Sequence, residues 1–461
     1  MHYISTRGYK GKASDGLGFY EAMLDGLAPD GGLYLPNSWP KFLPEKFIGK
    51  QYADIALEVM APFVAPNMPP EILQKCIAKA YQNFDDPSIT PLKAFGENHH
   101  ILELFHGPTL AFKDIALQLL GLLIDEALAL SKQDLTVLGA TSGDTGPAAI
   151  EGLKGRANIR IYMLFPRGRV SEVQRRQMTT TGANNVYPIA VDGTFDDCQK
   201  LVKTLFRDAS LRQSHNLTAI NSLSWARLLP QMVYYFYAWS RLQKPLVFSV
   251  PTGNFGDVFA GYMAKKCGLP TQKLIIATNQ NDILTKFVHD GTYRTQQAQA
   301  TQSPSMDISV ASNFERYLFE VLGRDSTKLA QAMDTFEATQ TLPPLGAEAM
   351  QTVRQEFTAY AANEVATASM MKTAHQQGYL PDPHTAVGLH AAAEYQKHHP
   401  KSHVVTLATA HPAKFAEAVK AATGETPHLP QRLKHIMRAQ EQFVELPADL
   451  SELKHYITTM V

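Results

Sequence analysis

The chain has 461 residues, more than one hydrophobic core usually organises, so two or three domains are expected. Its 43 basic and 43 acidic residues give a formal net charge of zero, which argues against nucleic-acid binding because that function needs a basic excess. Hydrophobic residues make up 45% of the chain, as in ordinary globular proteins, and no stretch approaches the ~18 consecutive apolar residues of a membrane span.

The N-terminus and the cysteines indicate a cytoplasmic protein. The first stretch, MHYISTRGYKGKASDG, is polar and lacks the apolar core of a signal peptide. The cysteines Cys76, Cys198 and Cys267 are odd in number and far apart, so they predict neither a disulfide framework nor a metal-binding CxxC pair. We expect all three to be buried small side chains in a reducing compartment, and we expect no metal site.

Residues 1–95 are interrupted too often by proline and glycine to form long elements. The stretches APDGGLYLP (Ala28–Pro36) and APFVAPNMPP (Ala61–Pro70) would each break a helix or a strand. This region is predicted to be a small N-terminal domain of short helices and loops.

From about Ile101 the pattern changes to alternating strands and helices. The predicted strands are the apolar runs at 135–142, 159–166, 185–191, 217–222, 246–253, 273–279 and 403–412, and helices are predicted between them at 146–153, 171–180, 194–206, 224–242 and 257–266. Ser171 and Thr194 are candidate N-caps. Continuous apolar strands that alternate with helices are typical of parallel sheets covered on both faces. The fold class is therefore predicted to be α/β, with two open, mostly parallel subdomains at 96–245 and 246–461.

The C-terminal third carries a different pattern. Thr292–Ser305 is polar and predicts a mobile surface loop or an irregular connection. Helices are predicted from Asn313, with breaks, to about Tyr395, and again over Ala413–Ala422 after the last strand. The remaining tail is predicted to pack back on the body of the protein.

The stretch HGPTLAFKD, His106 to Asp114, places Lys113 at the start of a long apolar run. In one interpretation the ammonium reaches water while the methylene groups pack. In the other, Lys113 forms a Schiff base, a role that requires the amine to lose its proton in a dry pocket. This stretch alone leaves both interpretations open.

A second candidate is SVPTGNFGDVFAGYM (Ser249–Met263), in which an apolar strand is followed by a glycine-containing turn and a helix. The turn residues are Gly253, Asn254, Phe255, Gly256 and Asp257. Glycine allows close approach of the backbone to a ligand, and a helix N-terminus offers unpaired N–H groups, so the turn predicts a phosphate cradle. It has neither the GxGxxG of a dinucleotide fold nor the GK[ST] of a P-loop, and a purely structural turn is the alternative.

Three further stretches lie at the ends of predicted strands. The stretch GATSGDTGPAAI could bind a carboxylate through Thr141, Ser142, Gly143, Asp144 and Thr145. The stretch INSLSWARLLPQ could bind a second phosphate through Asn221, Ser222, Ser224 and Arg227. In TLATAHPAKF the predicted strand ends with the hydroxyl of Thr409. Each has a structural alternative, as a capped turn, a helix cap with a surface arginine, or a strand-end hydroxyl. Together with Lys113 and the phosphate cradle, they fit an enzyme that binds pyridoxal 5′-phosphate and an amino acid.

At this point the chain resembles the threonine synthase family. The family's signatures are similar to STRG, GLAPDGGLYLP, HGPTLAFKD, TSGDTGPAA, NSLSWAR, PTGNFGD, ATNQND, SPSMDI, DPHTAVG and ATAHPAKF, in this order from about Tyr3 to about Phe415. TLAFKD alone is shared by fold-type-II pyridoxal-phosphate enzymes, including dehydratases and tryptophan synthase β chains. The longer N-terminal segment and the SGDTG variant suggest the longer subgroup of threonine synthases.

The resemblance implies a role for each candidate residue. Lys113 would form the internal aldimine, the turn from Gly253 to Asp257 would hold the cofactor phosphate, and Thr409 would bond the pyridine nitrogen. The loop Thr141–Thr145 would take the substrate carboxylate, and Phe112 would pack near the ring. Asp144 stands where many fold-type-II relatives have an asparagine that contacts the ring hydroxyl, which leaves its own contact undefined.

The implied reaction converts O-phospho-L-homoserine and water to L-threonine and phosphate. Lys113, displaced by the substrate amine, would remove the Cα proton as a general base. Loss of a Cβ proton and of the phosphate from Cγ would give an unsaturated intermediate; water would then add at Cβ, Cα would be reprotonated, and threonine would leave. Arg227, with Asn221, Ser222 and Ser224, is the candidate for the substrate phosphate on residue chemistry. The enzyme is expected to be a lyase of threonine biosynthesis that acts on a small molecule as a monomer or homodimer, without nucleic-acid or membrane partners.

Two other functions stay open on the sequence. One is a phosphohomoserine lyase or a threonine dehydratase that forms 2-oxobutyrate, because elimination is common to these reactions. The other is a non-enzymatic binding protein of the same fold, against which the intact Lys113 and both anion loops argue. His106 and His411 lie inside signature motifs, where structural hydrogen bonds are favoured over proton transfer.

Overall fold

A computed structural model of the protein describes residues 1–9, 11, 16–208, 211, 216–219 and 223–459. The strands are β1 (Tyr3–Ser5), β2 (Tyr34–Pro36), β3 (Leu92–Ala94), β4 (His99–Glu103), β5 (Leu135–Ala140), β6 (Ile159–Pro166), β7 (Val186–Asp192), β8 (Leu217–Thr218), β9 (Leu246–Pro251), β10 (Thr271–Thr278), β11 (Phe357–Ala361), β12 (His403–Ala408) and β13 (Val444–Pro447). The helices are α1 (Phe19–Asp25), α2 (Tyr52–Val64), α3 (Pro70–Tyr81), α4 (Lys113–Ser131), α5 (Thr145–Leu153), α6 (Glu172–Thr179), α7 (Phe195–Arg207), α8 (Trp225–Leu228), α9 (Gln231–Leu242), α10 (Gly256–Lys266), α11 (Ile283–Asp290), α12 (Phe314–Val321), α13 (Ser326–Thr339), α14 (Ala347–Glu356), α15 (Glu364–Gln376), α16 (Pro383–His398), α17 (Ala416–Thr423) and α18 (Leu450–Thr459).

Two parallel sheets form the body of the protein. The five-stranded sheet has the order β13-β7-β6-β5-β8 and is parallel throughout. The six-stranded sheet has the order β11-β10-β9-β12-β4-β3 and is parallel except for the pair β3–β4. Central strands such as β9 are buried along their whole length, because helices cover both faces of the sheet. The predicted α/β class with two mostly parallel sheets is confirmed.

The sheets do not follow the linear division of the chain. β4 lies in the part predicted at 96–245, yet it pairs with β12 of the C-terminal part. β13, in the tail, pairs with β7 of the other sheet. The boundaries 1–95, 96–245 and 246–461 stay a prediction, and both of these strand pairings cross the one between 245 and 246, because hydrogen bonding between parallel strands is not limited by sequence distance.

Several local predictions are confirmed. Ser171 accepts a hydrogen bond from the N–H of Gln174, and Thr194 accepts one from the N–H of Asp197, so both are N-caps. The stretch Thr292–Ser305 is irregular until a 3-10 turn begins at Pro304, and the tail does pack on the body through β13. The three cysteines are free and buried.

Other local predictions need correction. The region predicted to be helical from Asn313 to Tyr395 contains the edge strand β11, whose short, alanine-containing run FTAYA gave no strand pattern. The helix predicted over 224–242 is broken at Pro230, because proline cannot donate the helical hydrogen bond. The helix predicted at Ala413 begins at Ala416, after a 3-10 turn over Pro412–Phe415.

The N-terminal region packs against both parts of the body. β1 and β2 pair as a small antiparallel sheet, and Thr6 and Arg7 bind the carboxylate of Glu315 in α12.

Among the described residues, no helix is both long and apolar enough to cross a membrane.

Candidate active site

A pocket lies where the carboxyl ends of the central strands of both sheets meet. Its empty space, including the part that is open to solvent, is about 690 Å³. Its lining includes Phe112, Lys113, Asp144, Thr145, Arg227, Leu228, Gln231, Pro251, Gly253, Asn254, Gly256, Asp257, Ser305, Met306, His384 and Thr409. Residues from each of the predicted motifs therefore converge on one cavity, as expected because ligands of open α/β sheets bind at the carboxyl ends of parallel strands.

Lys113 is the first residue of α4, and its side chain is 13% exposed. The N–H of Phe112 donates to the carbonyl of Thr409 at 2.9 Å, so the residue after β12 fixes the backbone at the start of α4. Burial lowers the pKa of Lys113; the cations of Lys414 and Arg227 lower it further, against the opposing effects of Asp144 and Asp257. A reactive amine needs such a setting, since desolvation disfavours its ammonium form.

The predicted phosphate turn has the geometry of an anion cradle. β9 ends at Pro251 and α10 begins at Gly256, and Phe255 takes a left-handed conformation, with φ of +65° and a buried ring. Within the described residues, the backbone N–H groups of Gly253 to Asp257 donate no hydrogen bond. A Cβ atom on Gly253 would lie 2.7 Å from the carbonyl oxygen of Ser305, so only glycine keeps this space open.

Asp257 is the one acidic member of this turn. Its carboxyl accepts a hydrogen bond from the N–H of Val258, the next residue in α10. Burial raises the pKa of Asp257 to about 7, although that hydrogen bond and the charge of Lys113 oppose the shift. The turn can therefore accept an anion without a fully ionised carboxylate against it.

Thr409 follows directly after β12 and lines the pocket. It is buried, and in the described part of the chain its hydroxyl makes no hydrogen bond, which leaves the group available to a ligand. The lysine, the unpaired N–H groups and this hydroxyl fit the amine-reactive aldehyde, the phosphate and the ring nitrogen of pyridoxal phosphate respectively.

The predicted residues of the loop after β5 have different roles, since some hold the loop together and others line the pocket. The hydroxyl of Thr141 accepts hydrogen bonds from the N–H groups of Gly143 and Gly146, so this side chain holds the loop together. Asp144 and Thr145 lie on the pocket, whereas Ser142 and Gly143 are not part of its lining.

Asp144 contacts two lysines, which defines the contact that the sequence left open. Its Oδ1 lies 2.7 Å from Nζ of Lys414, and its Oδ2 lies 3.8 Å from Nζ of Lys113. Burial alone would raise the pKa of Asp144, but the two ammonium charges and a hydrogen bond from Gln174 hold it well below its usual value. Asp144 is therefore an ionised carboxylate inside the site.

Arg227 is buried in α8 and faces the pocket, with 4% of its surface exposed. Its Nε and Nη1 atoms have no hydrogen-bond partner among the described residues, and no described carboxylate lies within ion-pair distance. Burial lowers its pKa to about 10, so the guanidinium stays charged at neutral pH. An unpaired buried cation is costly in an isolated protein, which points to an anionic ligand.

The neighbours of Arg227 in the predicted phosphate site are only partly described. Ser224 is buried, and its hydroxyl also has no partner among the described residues. Asn221 and Ser222 lie outside the described residues. α8 itself is anchored in the N-terminal region, where the ring of Trp225 packs against Tyr3.

Sequence reasoning missed several pocket residues. Ser305, Met306 and His384 line the site from the stretches SPSMDI and DPHTAVG. The His384 ring accepts a hydrogen bond from the N–H of Ser305 and bonds Asp382, the N-cap of α16, at 2.6 Å. A histidine just after an Asp-Pro helix start was the available signal, because a cap aspartate can orient a neighbouring ring.

His106 and His411 lie outside the lining of the pocket. His106 bonds the carboxylate of Glu103 at 2.9 Å, and Nδ1 of His411 accepts from the N–H of Ala413. Burial, with the nearby His106, lowers the pKa of His411 to about 4, so its ring is neutral. Both contacts are of the structural kind expected from the sequence.

The fold and the pocket define the class of protein. Residues 88–410 match the family model described as pyridoxal-phosphate dependent enzyme, and the cofactor prediction is confirmed with it. At the two ends, residues 2–81 match threonine synthase N terminus and residues 385–457 match threonine synthase, C-terminal. The chain belongs to the threonine synthase family.

Individual relatives agree over the full length. A threonine synthase from Pseudomonas aeruginosa is 44% identical, with 99% of this chain and 98% of the relative covered. The crystal structure of PLP-bound threonine synthase from Brucella melitensis has a TM-score of 0.95 at 44% identity, covering 100% of this chain and 99% of that one. The threonine synthase structure from yeast has a TM-score of 0.93 at 37% identity, covering 99% and 98%.

Proposed function

We propose that this threonine synthase converts O-phospho-L-homoserine and water to L-threonine and phosphate. The observation that carries the choice of a phosphorylated substrate is Arg227, a buried guanidinium that faces the pocket with N–H groups that no described residue pairs. A second phosphate-sized anion beside the cofactor cradle would satisfy these donors. Free threonine, the substrate of a dehydratase, has its carboxylate as its only anion, and with that carboxylate at the loop Thr141–Thr145 it would leave Arg227 without one.

The proposed cofactor residues are Lys113, Phe112, Thr409 and the turn Gly253–Asp257. Pyridoxal phosphate, when bound, withdraws electrons from the substrate's Cα and so makes its proton removable. The cradle would hold the cofactor phosphate through backbone N–H groups, and Phe112 would exclude water beside the ring. Thr409 would bond the ring nitrogen with a neutral hydroxyl, which holds a proton there less firmly than a carboxylate would.

Lys113 is proposed to attach the cofactor in the resting enzyme and to move protons in the reaction. Its amine lies within the pocket in a setting that lowers its pKa, as a general base near neutral pH requires. Thr145, the first residue of α5, would orient the substrate carboxylate with the help of the helix dipole, and the ionised Asp144 would hold this loop in place through Lys414. Thr141, Ser142 and Gly143 would shape that loop.

The phosphate of the substrate is proposed to bind Arg227 and Ser224, with Asn221 and Ser222. Ser224 and Arg227 belong to the N-cap and the helix of α8, a different element from α10, whose start would hold the cofactor phosphate. A leaving phosphate held by a fixed cation departs more readily, because the charge that develops on it is stabilised in place.

The enzyme is further proposed to act in the cytoplasm as a monomer or homodimer. The free, buried cysteines support a reducing compartment. Light scattering of the purified protein would give the oligomeric state, and cell fractionation the location.

Product analysis tests the proposed reaction. Purified protein incubated with O-phospho-L-homoserine should release threonine and phosphate in equal amounts, and a Lys113→Ala variant should release neither. 2-Oxobutyrate as the main product would replace the synthase with a phosphohomoserine lyase. Turnover of free threonine instead would indicate a dehydratase, and absence of any turnover a binding protein.

A further inference from the structure

A second lysine, Lys414, lies inside the site but is absent from the proposed reaction. It belongs to the 3-10 turn Pro412–Phe415, and its side chain is 0% exposed. Nζ donates to the carbonyl of Thr109 at 2.8 Å and lies 2.7 Å from the Asp144 carboxylate. Burial of an ammonium group costs free energy unless a counter-ion pairs with it. The ion pair with Asp144 is therefore what allows Lys414 to be buried at this position.

The Asp144 carboxylate interacts with two ammonium groups, one of them at a much shorter distance than the other. Lys414 lies 2.7 Å from one carboxylate oxygen, and Lys113 lies 3.8 Å from the other. Coulomb attraction falls with distance and is strong in a buried site, so the nearer lysine takes most of the interaction. The amine of Lys113 is therefore left without a full counter-ion.

The other charges that face this cluster are few. Arg227 and Asp257 act on Lys113 with opposite signs. Asp114, whose carboxyl is bonded by the N–H and hydroxyl of Thr109, is the further acidic group that Lys414 influences. Neither acidic group forms an ion pair with Lys113 in the described part of the chain, which leaves Asp144 as its only close carboxylate.

We propose that Lys414 is a positioning residue that neutralises Asp144, so that Lys113 can lose its proton while the carboxylate stays in place. This inference rests on the proposed role of Lys113 as attachment point and base. Asp144 alone would form an ion pair with Lys113 and keep the amine protonated. With Lys414 bound to it, the carboxylate still orients the loop after β5, but it holds the proton on Lys113 less firmly.

The signs of the expected shifts follow from the charges. Lys414→Met removes a neighbouring cation and leaves Asp144 with only Lys113 to balance it, so the pKa of Lys113 should rise. Asp144→Asn leaves the Lys414 cation unbalanced and should lower the pKa of Lys113. The double variant removes both charges and should return it toward the parent value.

Two measurements on the full chain report the protonation of Lys113. One is the pH profile of kcat, whose acidic limb should move to higher pH in Lys414→Met and to lower pH in Asp144→Asn. The other needs no turnover: the rate at which apo-protein binds pyridoxal phosphate covalently, followed by absorbance against pH, requires the uncharged amine and should show the same shifts. Gln177→Met is the matched control, because Gln177 also donates to the carbonyl of Thr109 but carries no charge; both curves should stay at the parent position.

An acidic limb that does not move in Lys414→Met, or that moves by the same amount in Gln177→Met, overturns the proposal. If Lys414→Met does not fold, Asp144→Asn and the double variant decide: a shift to lower pH that is reversed in the double variant supports the proposal, and equal curves refute it. Covalent cofactor binding by Lys113→Ala would instead show that the proposed role of Lys113 is wrong, whatever Lys414 does.

Discussion

Substitution of Arg227 tests whether this residue binds the substrate phosphate or only stabilises the fold. Arg227→Met removes the guanidinium but keeps much of the buried apolar stem. Two of its donor atoms, Nε and Nη1, have no partner in the described protein. If both bond the substrate phosphate, at about 1.5–3 kcal/mol for each charge-assisted bond, their loss costs about 3 kcal/mol or more and lowers kcat/KM roughly a hundredfold.

Although Arg227→Met should lower kcat/KM, it should not lower the stability of the folded protein. Burial of an unpaired ion costs several kcal/mol, so its removal should leave the free energy of unfolding unchanged or raise it. Arg316 is the matched control, because it is equally buried but donates to the carbonyls of Tyr34 and Leu223 and to Asn313. Arg316→Met should destabilise the protein by about 3–5 kcal/mol, because it breaks this set of bonds and leaves buried acceptors behind.

The assay compares steady-state kinetics on O-phospho-L-homoserine with the thermal unfolding of the holoenzyme. Inorganic phosphate should raise the unfolding midpoint of the parent protein and have a smaller effect on Arg227→Met. An Arg227→Met protein that keeps the parent kcat/KM and loses as much stability as Arg316→Met would refute the assignment.

Three further predictions concern the cofactor. In Lys113→Ala, borohydride should no longer fix pyridoxal phosphate to the protein, as mass spectrometry would show; continued fixation means that another lysine is used. Gly253→Ala should weaken cofactor binding, since its Cβ would collide with the Ser305 carbonyl at 2.7 Å, whereas Gly346→Ala, with no atom within 4 Å of its added Cβ, should not change cofactor titrations. Thr409→Val should weaken retention of the cofactor by about 0.5–1.5 kcal/mol, the value of one hydrogen bond, and an unchanged dissociation constant would remove Thr409 from the site.

The sequence by itself determined the chemistry that is local in the chain. The phosphate cradle is a strand, a turn and a helix in consecutive residues, so its glycines and its helix start are visible without a structure. The same holds for the caps Ser171 and Thr194, which contact residues three positions ahead. The sequence also predicted Thr409 at the carboxyl end of a strand, where ligands of open α/β sheets bind, and in the structure this residue lines the pocket with Lys113.

Only the tertiary structure decided what depends on distant partners. Lys414 meets Asp144 across 270 positions of the chain, and β4 and β13 each join a sheet built largely from the other half. The same applies to Arg227, since a sequence does not show whether a guanidinium finds a carboxylate or stays unpaired. Local hydrogen bonding selects turns and caps within a few residues, whereas burial and the pairing of charges depend on which surfaces pack together, and that is determined by the whole fold.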